Sequence, residues 1–215
     1  MATMMRLKDK LDELRVLDTG LQVFGARSHR YKLAPRLSER AVSKFESQYR
    51  VVLPEDYRSF LLQMGNGGAG PFYGVFPLGM WDGPGRGFEP WTDKPYVVSD
   101  LSRDFALTDV WNLEPERLEG PDSFESDEEE DAYWKNVEEE LFPERLTFGW
   151  FPISHHGCAL RTYLVTSGPE RGNVWFDGRP EKSPVSPHIH QGSRLTFSAW
   201  YELWLDQSIS EIRGR

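Results

Sequence analysis

LPEDYRSFLLQMGNGGAGPFYGVFPL, residues 53–78, carries three structural signals in succession. Pro54 suits the first turn of a helix, where its missing N–H has no partner to lose, and Glu55 and Asp56 stand at the positive end of the helix dipole. Tyr57, Phe60, Leu61 and Met64 fall at i, i+3, i+4 and i+7, which predicts a helix with a core-facing stripe. Gly65 is expected in the left-handed conformation that closes such a helix. GNGGAGP, 65–71, predicts a tight turn, and FYGVFPL, 72–78, reads as a strand.

Upstream, Met4, Leu7, Leu11, Leu14 and Leu17 mark one face of a helix over 4–17, with Gly20 as its stop. VFGARSHRYKLAP, 23–35, reads as an extended connection. Ser38 is a plausible N-cap for a helix running to Tyr49, with Val42, Phe45 and Tyr49 on one face. Downstream, MWDGPGRGFEPW reads as a Gly/Pro-rich loop before PYVVSDL, 95–101. DEEEDAYWKNVEEELF predicts a helix over 127–141, with Tyr133, Val137 and Leu141 as a modest apolar stripe. From Thr147 the period changes: TFGWFPISHHG, ALRTYLVTSG and NVWFD read as strands, the last two joined through SGPERG, 167–172. Phe197, Trp200, Tyr201, Trp204 and Leu205 predict a closing helix whose aromatic stripe packs inward. Helices first, strands later and a helix last predict an α+β fold. We expect one domain over 1–215, with 1–35 as an N-terminal helical extension and 119–144 as an acidic helical insert.

The 13% aromatic content favours a packed globule over a disordered chain. The single cysteine, Cys158, excludes an intrachain disulfide and fits a reducing compartment. The N-terminus shows no apolar segment of the secretory kind, and no run approaches the ~20 apolar residues that span a bilayer, so a soluble, cytoplasmic protein is expected. The net charge of −9 is local: residues 119–144 hold twelve acidic side chains against Lys135, a net of −11 that leaves +2 elsewhere. So concentrated a negative field repels nucleic acid and anionic lipid and attracts basic surfaces.

Three blocks in order, 53–78, WFPISHHGCALRTYLVTSGPERGNVWFD at 150–177, and FSAWYELWLD at 197–206, resemble the SUKH superfamily, which includes the yeast Smi/Knr regulators. The resemblance implies helices packed on a curved, largely antiparallel sheet and a non-catalytic role. Many bacterial members are immunity proteins that neutralise a toxin by stoichiometric binding, while yeast members act as regulatory scaffolds. A protein partner, here a basic bacterial toxin domain, is therefore expected, and no cofactor. The acidic segment is not part of the common pattern.

Several residues invite chemistry. His155 and His156 are adjacent, so on a strand they point to opposite faces and cannot easily share a metal ion. His188 and His190 could share a face, but no acidic residue is near. Cys158 beside His156 suggests a nucleophile and base, yet a small buried cysteine at a strand start is the ordinary outcome. GNGGAG follows a helix C-terminus, the wrong end for an anion, so it reads as a stop and chain reversal. No catalytic and no metal-ligating residue is assigned. Asp127, Glu128, Glu129, Glu130, Asp131, Trp134 and Glu138 read either as solvated surface or as a docking face, in which carboxylates speed the encounter and an aromatic anchor supplies desolvated contact.

Overall fold

The computed structural model describes residues 2–82, 87–91 and 98–215. Residues 83–86 of the Gly/Pro-rich loop and the first half of PYVVSDL lie outside the described residues. In chain order the elements are α1 (Ala2–Leu17), α2 (Ala26–His29), α3 (Glu39–Tyr49), α4 (Glu55–Gln63), β1 (Met80–Asp82), β2 (Phe88–Pro90), α5 (Pro115–Glu119), α6 (Asp127–Leu141), β3 (Trp150–Gly157), β4 (Leu160–Val165), β5 (Val174–Asp177), β6 (Val185–Pro187), β7 (Ile189–His190), β8 (Ser193–Arg194) and α7 (Phe197–Arg213). β3 to β6 form a four-stranded antiparallel meander in sequence order, and β1–β2 and β7–β8 are two-stranded hairpins. The fold class is α+β, as the order of periodicities predicts.

One face of the sheet is covered by helices. Tyr57, Phe60 and Leu61 of α4 are buried, and the Tyr57 ring meets Phe151 of β3 at 5.7 Å and Phe197 of α7 at 4.8 Å. Phe60 lies 5.0 Å from Phe197 and 5.2 Å from Tyr201. α1 joins the same core through Met4, Leu7, Leu11 and Leu14. Ion pairs Arg6–Glu202, Lys10–Asp206 and Glu13–Arg213 ascend together, so α1 and α7 run parallel. The other sheet face carries a second cluster, Trp150, Tyr163, Val165, Trp175 and Val185, covered by Phe105, Leu107 and Leu146 of the chain between α4 and β3.

Local readings differ from the structure at identifiable points. Pro54 caps α4 from just outside the helix. Gly65 is not left-handed; a Cβ there would stand 2.6 Å from the Ala34 carbonyl oxygen, so its need is close approach. The positive-φ glycines of the turn are Gly67, at φ +83, and Gly68, at φ +104, and Gly68 bridges Leu33 on one side and Val75 on the other. FYGVFPL is not a strand: Phe72 has φ 56 and Gly74 φ 106, and only Val75 makes ladder bridges, to Gly68 and to Ser154. Within 23–35, Ala26–His29 forms a helical turn where an extended chain was expected. The ends of the Gly/Pro-rich loop pair as β1 and β2. The Tyr201 hydroxyl donates to the Ala69 carbonyl at 2.8 Å, fastening α7 to the glycine-rich turn.

Candidate acidic docking face

α6 spans Asp127–Leu141, the boundaries its sequence predicts. Ser126 caps it, its Oγ accepting from Glu129 N–H at 3.2 Å, while the Glu129 carboxylate accepts from Glu125 N–H at 2.7 Å. Carboxylates in the first turn suit the positive end of the dipole. Glu138, Glu139 and Glu140 crowd the negative end, and two arginines answer them. Arg117 of α5 bridges Glu140, its Nε donating at 3.2 Å, with its guanidinium 4.7 Å from the Tyr133 ring. Arg179 donates Nη1–H to the Leu141 carbonyl at 3.3 Å.

Arg179 is itself held hard. It makes a two-pronged pair with Asp177 at the end of β5, Nε to Oδ1 and Nη2 to Oδ2, both 2.7 Å. Both side chains are about 95% buried, their relative exposures being 5% and 6%. The guanidinium also faces the rings of Phe142 and Trp150. A buried fork of this kind fixes direction as well as charge. Three residues on, Lys182 places its ammonium 3.9 Å from the centre of the Trp134 ring and donates to the Leu118 carbonyl at 3.2 Å.

Among the predicted docking residues, Asp127, Asp131, Trp134 and Glu138 are spaced i, i+4, i+7 and i+11, so they share one flank of α6. Asp127, Asp131 and Glu138 are exposed and Trp134 is half-buried. Glu128 points away from the protein, Glu129 is spent on the helix start, and Glu130 accepts from Trp134 Nε1–H at 3.3 Å. Among the described residues no ion pair forms at Asp127, Glu128, Asp131 or Glu138. A cleft of about 470 Å³ opens beside this flank, lined by Asp122, Phe124, Glu125, Asp127, Glu130 and Trp134. Arg117 and Arg179, which hold the helix in place, and Lys182, which covers the Trp134 ring, carry no local sequence signal. Their only hint is that a helix with eight carboxylates and one lysine needs cations from elsewhere.

The histidines sit apart from this face. The His155 ring stacks on Tyr73 and the His156 ring on Phe72, so the two diverge. Nε2 of His156 and Nε2 of His188 both meet Thr162 Oγ1, at 2.8 and 3.1 Å. Burial, with the neighbouring His188 and His155, pushes His156 down to about 3, and burial pushes His188 down to about 4, so both rings are neutral. His190 is exposed. Among the described residues no three His, Cys, Asp or Glu side chains are grouped to hold a metal ion. Cys158 is exposed, against the expectation of burial. It occupies the two-residue β3–β4 turn, where Cys158 and Ala159 both have positive φ, 50 and 63, the geometry a tight hairpin requires. An apolar groove of about 300 Å³ runs along α7, bordered by Phe24, Phe72, Ile189, Trp200, Leu203 and Trp204.

The family model described as SMI1 / KNR4 family (SUKH-1) matches residues 36–191, most of the chain. The chain belongs to this family. No curated protein and no solved structure matches it. The SUKH-1 match takes in the blocks 53–78 and 150–177 and stops short of the third, 197–206. It also takes in α6, while α1, α2, β8 and α7 fall outside it. SUKH-1 proteins are generally non-catalytic, the family suggests a protein partner, and an immunity-type role is consistent with it. No helix among the described residues of this SUKH-1 chain is long and apolar enough to cross a membrane.

Proposed function

We propose that this SUKH-1 chain is a cytoplasmic immunity protein that neutralises a basic toxin domain by stoichiometric binding through the exposed flank of α6. No bond is made or broken. The carboxylates Asp127, Asp131 and Glu138 draw in a positively charged cleft, Trp134 supplies an aromatic contact, and the bulk of the α+β body shuts substrate out. Against a nuclease, the carboxylates would take the positions of phosphates. The observation that carries this reading is the i, i+4, i+7, i+11 flank, where three carboxylates have no cation of their own among the described residues. We take 1–215 as one functional unit, with 119–144 as the recognition insert.

Mixed with the toxin domain encoded beside it, the chain is expected to elute as a one-to-one complex and to abolish toxin activity at equimolar ratio. Separate elution with the toxin fully active would defeat the proposal. A second reading, a regulatory scaffold, draws on the apolar groove along α7, since a scaffold needs a surface besides the acidic one. A chain with no toxin gene beside it and two simultaneous partners would favour that reading.

A further inference from the structure

Trp134 lies in the middle of the exposed flank, and its ring is already occupied. The Lys182 ammonium sits 3.9 Å from the ring centre, where the indole's negative face attracts a cation. The Glu130 carboxylate accepts from the indole N–H at the ring's edge and adds negative charge to the same seat. The backbone that carries this lysine is fixed. Lys182 closes the 3₁₀ turn Arg179–Glu181 with φ 54, and that turn is pinned at its start by the buried Arg179–Asp177 fork. The same ammonium donates to the Leu118 carbonyl, so it is aimed by two contacts. The acidic flank thus contains a seat for a primary ammonium, and the molecule itself fills it.

We propose that Lys182 is an internal competitor: a lysine of the partner displaces it from Trp134, and the contact sets which cationic side chain the acidic face accepts. This rests on the reading of α6 as the docking face. In the free protein Lys182 shields the indole and lowers the local negative charge. On binding, an incoming ammonium takes over the ring and Glu130, and Lys182 swings into solvent, where its exposed stem has room. The exchange costs affinity and gains selection, because a partner that cannot offer a cation at that point leaves the latch closed.

The test uses the full chain and tetralysine as probe, at low ionic strength, reading the Trp134 indole ¹H–¹⁵N resonance and the dissociation constant by calorimetry. Lys182→Gln removes the competitor and one charge. Lys135→Gln, on the outward side of α6 with no ring contact, removes one charge alone. The expected result is that tetralysine moves the Trp134 resonance, and that Lys182→Gln tightens binding about two- to fivefold more than Lys135→Gln does. Equal tightening by the two variants, or weaker binding by Lys182→Gln, overturns the competitor while leaving the acidic face standing. If tetralysine binds none of the three proteins, the docking face fails and the competitor with it.

Discussion

One face of the sheet is packed by interlocked aromatic rings, whereas α6, tied to the turn after β5, is held largely by polar contacts. On that face, Tyr57, Phe60, Phe151, Phe197 and Tyr201 meet edge to face or tilted at 4.8 to 5.7 Å, and ion pairs such as Arg6–Glu202 lie at the rim. α6, in contrast, buries Val137 and Leu141, and neither belongs to the two apolar clusters. Polar contacts add to this: Arg117 bridges Glu140, Arg179 donates to the Leu141 carbonyl, and the Tyr133 hydroxyl donates to the Arg117 carbonyl at 3.0 Å. Apolar burial is indifferent to charge and holds a fold against solvent. A few directed cations can instead hold a helix whose net charge of −7 would otherwise drive it off, and they leave its outer flank free. The aromatic face stabilises, and α6 displays charge.

The sharpest way to break this contrast is to remove one element from each region. Phe60→Ala is expected to cost about 3–5 kcal/mol in urea unfolding, a loss shared by the whole helical face. Arg179→Met strands Asp177 in the interior and is expected to cost a similar ~3–5 kcal/mol. The two should differ in hydrogen exchange: Arg179→Met accelerates α6 amides well before the rest, and Phe60→Ala does not single α6 out. Equal protection of α6 in both variants would show that Arg179 is not its tether.

Acid sharpens the contrast from the other direction. His29, His156 and His188 are pushed down to about 4, 3 and 4, burial being the first cause for each. They stay neutral in the folded chain while the unfolded chain takes up protons below about 6.5, so their contribution is complete above that pH and drains away as pH falls toward 4. Glu202, held down to about 2 first by its hydrogen bond from Arg6, begins to matter only below about 4.5. Unfolding free energy is therefore expected to fall between pH 6.5 and 4.5. His188→Gln should flatten that slope by up to ~1.4 kcal/mol per pH unit. An unchanged slope in the variant would remove His188 from the explanation. The smallest effect is at the helix start: Ser126→Ala should cost about 1 kcal/mol, seen as faster exchange in the first turn of α6.

How much of this could be read beforehand differs between the two regions. The stripes of α4 and α7 repeat at helical spacing, and α6 is bounded by its own cap and a proline, so local sequence suffices. FYGVFPL has strand composition, but Phe72 and Gly74 take positive φ because Val75 must reach both Gly68 and Ser154. The Ser154 half of that constraint comes from far along the chain. β6 to β8 are two or three residues long and rich in proline and polar residues, too short to show a period. In the docking face, the carboxylates and Trp134 were legible from charge and composition. Which of them stay free was not, because Glu129 and Glu130 are taken by local hydrogen bonds. Arg179 and Lys182 belong to an unremarkable GRPEK turn, and only the folded sheet brings them under α6.

The most direct measurement is the affinity of the neighbouring toxin domain for the triple variant Asp127→Lys, Asp131→Lys, Glu138→Lys, taken across a salt series. Each change lies on an exposed flank that makes no ion pair among the described residues, so folding should be preserved. We expect affinity to drop on the order of a hundredfold at low salt, and its salt dependence to flatten. Unchanged affinity with the original salt slope would contradict recognition through α6.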